Sequence, residues 1–206
     1  MSKQPVEQFL DSSRLQQAYI NGEWIALSGN APFDVINPAT EEPAATIHLG
    51  NRDDLNKAVA AAKAAFPLWA NTPIETRLAV LDKIIELIEA RTELLANLMS
   101  LEMGATLAYA RSTQVPLAAA HIRVARENLA KYEFTEMRGT TAVTREPIGV
   151  AGLITPWNWP LYQVTAKVGP ALAAGCSIIL KPSELSPLSA LAFTQIIHDA
   201  GVPAGV

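Results

Sequence analysis

Apolar positions along the chain change their spacing twice, and the changes divide it. Before residue 50 they are scattered, and Tyr19-Ile-Asn-Gly-Glu-Trp24 sets Asn21-Gly22 between apolar flanks. That dipeptide tolerates positive φ at both centres, so a tight hairpin turn is predicted there. Asn37-Pro38 and Glu42-Pro43 then punctuate what reads as a loop-rich stretch. From Arg52 to Tyr132 the period becomes helical. Asp53 to Phe66 is alanine-rich with acidic residues at its start, and Pro67 is expected to end it. Thr72-Pro73-Ile74-Glu75 has the form of a capping box with proline at the first helical position. Leu78, Leu81, Ile84, Ile85 and Ile88 follow at helical spacing, and Leu94, Leu95 and Leu98 lead to Gly104 as a C-terminal cap. A further helix is predicted over Thr113 to Tyr132, with Val115, Ala118, Ile122, Ala125 and Leu129 on one face.

Beyond Arg138-Gly139 the period shortens. Thr140 to Arg145 is β-branched enough for a strand. Ile148 to Ile154 gives a short apolar strand, Leu161 to Ala174 a helix closed by Gly175, and Ser177 to Leu180 a second strand. Lys181 to Pro187 is a loop, and Leu188 to Ala200 a helix before Gly201. A strand-helix-strand-helix order predicts an α/β fold with parallel pairing and helices covering the sheet. In such sheets ligands bind beyond the carboxyl ends of the strands. Val202 to Val206 reads as the lead-in to another strand, so the sheet is expected to be incomplete within these residues.

Composition narrows the function classes. With 206 residues and 50% apolar content, the chain can bury a large core. Its net charge is -4, and without a basic run it offers nucleic acid no phosphate-neutralising stripe. Cys176 is the single cysteine, which excludes an internal disulfide; His48, His121 and His198 stand too far apart for a metal-ligand cluster. This cysteine usage fits a reducing cytoplasm. Met1 to Leu10 carries Ser2, Lys3, Gln4, Glu7 and Gln8 where a signal peptide needs an apolar segment, and no membrane-spanning stretch is expected. Neither a Gly-x-Gly-x-x-Gly turn nor a P-loop occurs.

Two polar motifs sit where apolar strands run out. Pro156-Trp157-Asn158 follows the first strand, and Lys181-Pro182-Ser183-Glu184 follows the second. Asn158 offers a neutral amide that can donate to a developing oxyanion, although an asparagine in a turn can equally satisfy backbone groups. Glu184 can accept from the vicinal hydroxyls of a ribose, and Lys181 can donate to hydroxyl oxygen and attract phosphate. The plainer alternative is a solvated loop leading into a helix. Cys176, at the start of an apolar strand with no histidine nearby, reads as a buried small hydrophobe.

Taken together, Ala151-Gly-Leu-Ile-Thr-Pro-Trp-Asn-Trp-Pro160 and Ile178-Ile-Leu-Lys-Pro-Ser-Glu184 resemble the aldehyde dehydrogenase family, here its NAD-dependent N-terminal portion. The resemblance implies an incomplete parallel Rossmann-like sheet with flanking helices. Residues 1–136 would form the N-terminal segment and helices of the cofactor-binding domain, 137–147 an oligomerisation strand, and 148–206 the start of the NAD-binding sheet. It implies an oxyanion-donor role for Asn158. Ile154, Thr155, Pro156 and Trp157 would lie towards the nicotinamide, with Lys181, Ser183 and Glu184 on the ribose side. Lys167 is placed near proton movement. Glu184 would disfavour a phosphate on that ribose, so the expected cofactor is NAD, and the expected partner is a small-molecule aldehyde substrate. No segment here resembles the family's nucleophilic cysteine or general-base glutamate. The alternative expectation is a non-catalytic fragment that binds nucleotide, or that associates with itself or with a full-length relative.

Overall fold

A computed structural model describes residues 5–206; Ser2, Lys3 and Gln4 of the polar N-terminus lie outside the described residues. A short helix α1 (Pro5–Leu10) and a 3-10 turn lead into β1 (Gln17–Ile20) and β2 (Glu23–Ala26), which pair antiparallel. The turn between them is Asn21-Gly22 with φ of 55° and 84°, as the dipeptide predicts. Glycine is required twice over at 22, because a Cβ there would also lie 2.9 Å from that of Ala204. The loop-rich expectation for the next stretch is corrected. β3 (Ala31–Asn37) and β4 (Glu42–Leu49) form a second antiparallel ribbon with a bulge between Val35 and Ile36. Pro43 is accommodated because a two-stranded ribbon leaves each strand one edge that needs no donor.

The helical region follows its apolar periodicity but departs at two proline positions. α2 (Arg52–Ala70) runs through Pro67 instead of ending before it. Losing that amide costs about 3 kcal/mol in a helix interior. The extra turn buries Trp69 to 1% exposure, which recovers about 2–3 kcal/mol. The Asn71 side chain donates to the Pro67 carbonyl, and the Thr72 hydroxyl to that of Leu68. Thr72 therefore closes α2 and does not cap α3 (Ile74–Ala90), whose N-cap position is Pro73 without a side-chain bond. The reciprocal capping box lies one helix earlier, where Asn51 and Asp54 satisfy each other's amides at the start of α2.

α4 (Thr92–Met103) ends at Gly104 in the left-handed region, as its sequence predicts. A single turn α5 (Leu107–Tyr109) and a π-helical segment, Ala110–Gln114, precede α6 (Val115–Leu129). The α6 stripe of Val115, Ala118, Ile122, Ala125 and Leu129 is buried throughout. It packs mainly on α7 (Pro160–Ala174) and α3. Around that contact Leu81, Ile84, Ile88, Leu95, Leu98, Ile122, Leu161, Leu172 and Phe193 lose nearly all solvent exposure. Each such side chain contributes about 1.5–3 kcal/mol of transfer free energy.

β5 (Thr135–Arg138) and β6 (Thr141–Thr144) make an isolated hairpin around Gly139; the sequence signalled only its second strand. β7 (Val150–Ile154) and β8 (Ser177–Lys181) pair in parallel, joined by α7. Both α2 and α7 pack against this pair. Gly175 ends α7 at φ 93°, where a Cβ would lie 3.1 Å from Arg77 Nη1, whose guanidinium donates to the Ala173 carbonyl. α8 (Leu188–Asp199) closes the region. The Val206 carbonyl then accepts from the Ile178 amide at 2.8 Å, on β8.

Candidate functional site

Parallel pairing carries both motifs to the same end of the sheet. Ile154 is registered opposite Lys181, and the Thr155 amide donates to the Lys181 carbonyl at 3.3 Å. Side chains alternate across a strand, so Gly152 and Ile154 share one face while Leu153 and Thr155 point into the body. The first face is open: Ile154 is 73% exposed, and a Cβ added to Gly152 would meet nothing within 4 Å. Thr155 is buried, and its hydroxyl finds no hydrogen-bond partner among the described residues.

Pro156, Trp157 and Asn158 form an exposed turn before α7. The Asn158 side chain makes no hydrogen bond to another described residue, so its amide is not consumed by the turn. Trp157 is half exposed, whereas Trp159 packs edge-on against Tyr109 and Tyr162. The two tryptophans thus separate into one surface ring and one packed ring.

At the second strand end, Lys181 Nζ donates to Glu184 Oε2 at 2.8 Å. That bond, the backbone amide of Glu184 and the lysine charge hold the Glu184 carboxyl below its ordinary range. Both groups remain largely exposed, where an ion pair contributes only about 0–1 kcal/mol. Their pairing is therefore readily exchanged for a ligand that offers both donors and acceptors. The Ser183 hydroxyl accepts from the Leu185 amide at 3.3 Å and shapes the turn.

A cleft of about 890 Å³ opens beside this loop, with Lys181, Pro182, Ser183 and Glu184 among its lining residues. Asn51, Leu55 and Ala58 of the α2 region and residues of the β1–β2 hairpin also line it. Ile154 through Asn158 do not line this cleft. The structure thus joins the two motifs through β7–β8 pairing, and this cleft is lined by the Lys-Pro-Ser-Glu loop and not by residues 154–158. Lys167 is half-buried on α7, and Cys176 is buried as a free thiol. No group of titratable residues suited to a metal occurs among the described residues.

One buried polar group near the loop escaped the sequence reading. Glu102 on α4 accepts from the amides of Leu188 and Ser189 and from the Ser189 hydroxyl. Its signal was present, because Glu102 continues the apolar Leu95 and Leu98 stripe at helical spacing. A carboxylate on such a stripe needs partners that the pattern cannot name.

Comparison with known proteins identifies the family. The family model described as the aldehyde dehydrogenase family matches residues 24–206. A 3-succinoylsemialdehyde-pyridine dehydrogenase from a Pseudomonas species is 45% identical over 192 residues, covering 93% of this chain and 40% of that protein. Among solved structures, a mutant of aldehyde dehydrogenase C from Pseudomonas syringae, in complex with NAD+ and octanal, is 57% identical. It superposes with a TM-score of 0.94 over 95% of this chain and 40% of its own. An NADP-dependent enzyme from E. coli is 38% identical, with a TM-score of 0.87 over 96% of this chain and 42% of its own. The chain therefore spans about 40% of the length of the curated relatives it matches.

Proposed function

Since the chain belongs to the aldehyde dehydrogenase family, we propose that it serves the NAD-dependent oxidation of an aldehyde to a carboxylic acid. In that reading these residues supply the ribose-binding loop and the oxyanion donor. The observation that carries it is the Ile154–Lys181 register, which brings an unengaged amide and an exchangeable Lys-Glu pair to the same sheet end.

The donor set suits a dinucleotide. Glu184 can accept from vicinal ribose hydroxyls while Lys181 donates to the same sugar, so one ligand satisfies both partners of the existing ion pair. The open face at Gly152 and Ile154 leaves room beside β7. Bound NAD supplies a hydride acceptor. Asn158 contributes where charge develops: an amide aimed at the aldehyde oxygen stabilises an oxyanion more than the neutral carbonyl, which lowers the barrier rather than only tightening substrate binding. Trp157, Pro156 and Ile154 offer apolar surface at the same strand end.

The fit favours NAD over a cofactor phosphorylated on that ribose, because Glu184 would face the added phosphate with like charge. The NADP-dependent relative makes this preference a matter for measurement. The β5–β6 hairpin, with Met137 63% exposed, is proposed as an oligomer contact; a strictly monomeric chain at high concentration would remove that assignment.

Calorimetry with NAD, paired with an assay for aldehyde-dependent NADH formation, tests the central reading. Lys181→Ala and Glu184→Ala are each expected to weaken NAD binding by about tenfold. Binding insensitive to both substitutions would sink the ribose-site assignment.

A further inference from the structure

Glu102 is a fully buried carboxyl that caps a helix from another part of the chain. α8 begins after Pro187, which has no side chain able to accept a hydrogen bond, so its first amides lack a local cap. Glu102 Oε2 accepts from the Leu188 amide at 2.5 Å, and Oε1 accepts from the Ser189 amide at 3.1 Å and the Ser189 hydroxyl at 2.5 Å. The residues concerned lie 86 and 87 positions apart in sequence.

A local cap and a distant one do different work. A serine or aspartate at the N-cap would accept from amides of the same first turn but move with the helix. A carboxylate on α4 fixes the start of α8 relative to the body of the protein. α4 is itself held by Leu95, Leu98 and Met99, none of which retains solvent exposure. The segment immediately before α8 is the Lys181–Pro187 loop, whose other end is held by β7–β8 pairing. The loop is thus clamped at both ends, by main-chain pairing on one side and by Glu102 on the other.

Burying a carboxyl is costly, and burial pushes Glu102 up to about 7 although its three donors pull the other way. The arrangement persists because the amides and hydroxyl around it would otherwise be unsatisfied, and because anionic or partly anionic oxygen suits a helix N-terminus.

We propose that Glu102 is a positioning residue for the cofactor loop: by capping α8 from α4, it fixes Lys181, Ser183 and Glu184 in the arrangement that receives a ribose. The inference rests on the ribose-site reading above. Glu102 itself touches no ligand.

The test combines amide hydrogen exchange with NAD calorimetry on the 206-residue chain, comparing wild type, Glu102→Ala and Glu102→Gln. Glutamine keeps the shape and one acceptor oxygen but turns a donor towards an amide, and it serves if the alanine variant does not fold. Exchange at the amides of Ser183 to Ser189 is expected to accelerate about tenfold while α6 amides keep their protection, and NAD affinity to fall by a similar factor. The glutamine variant should fall between the other two. Unchanged affinity, unchanged loop exchange, or acceleration spread equally over α6 overturns the proposal. If the wild-type chain binds no NAD, the ribose-site reading fails separately. Exchange alone then judges the clamp: selective acceleration of the loop supports it, and uniform or absent acceleration rejects it.

Discussion

The Thr155 amide donates to the Lys181 carbonyl at 3.3 Å, so the last rung of the parallel pair joins the two turns that carry the polar motifs. The consequence is geometric. Residues 154–158 and 181–184 leave the sheet side by side, and a ligand spanning both strand ends can meet groups separated by a whole helix in sequence.

In the proposed ribose site, the charge of Glu184 would set the choice between NAD and a cofactor phosphorylated on that ribose. Glu184→Gln keeps the side-chain length and one acceptor but removes the repulsion towards a ribose phosphate. NADP affinity is expected to rise by about tenfold relative to NAD, as judged by calorimetry with both. An unaltered ratio would mean that Glu184 does not face that ribose.

Asp54 gives a prediction about acid stability. Burial pushes its carboxyl up, but amides of Gly29, Asn51 and Ser28 outweigh that effect and hold it well below the usual carboxylate range. Its folded value lies below its unfolded one, so its stabilisation is present above the unfolded pKa and fades as pH falls through the folded value. Asp54→Asn is expected to cost about 1–3 kcal/mol at neutral pH. The difference from wild type should narrow in acid, and urea unfolding at several pH values measures it. Parallel pH profiles for the two proteins would contradict this account.

The two helix starts predict losses of different size for two similar changes. Asn51 accepts from the Asp53 and Asp54 amides, so Asn51→Ala should destabilise by about 1 kcal/mol. Thr72 only donates to a carbonyl at the end of α2, so Thr72→Ala should cost about half that or less. Thermal unfolding of both variants separates a cap in use from one that is merely spelled in the sequence. A larger loss at Thr72 would restore the cap that the structure denies.

These cases mark where the sequence was legible. The α6 stripe, the Asn21-Gly22 turn and the parallel β7–β8 pair were all readable, because each follows from spacing or from the φ a residue tolerates. The β3–β4 ribbon was hidden by Pro38 and Pro43, which usually announce loops. The passage of α2 through Pro67 was hidden because the burial of Trp69 offsets a local penalty that the sequence displays.

The candidate site divides in the same way. Residue types set only the hydrogen-bonding capacity of Asn158, Lys181 and Glu184; the proposed roles of oxyanion donor and ribose pair come from the resemblance to the aldehyde dehydrogenase family. Only the tertiary structure decided that Ile154 faces Lys181, that the Asn158 amide is left unengaged, and that Glu102 reaches the start of α8. Those relations depend on which distant segments share a boundary. Local periodicity carries no information about them, because one helix face or strand edge can satisfy the same pattern against many partners.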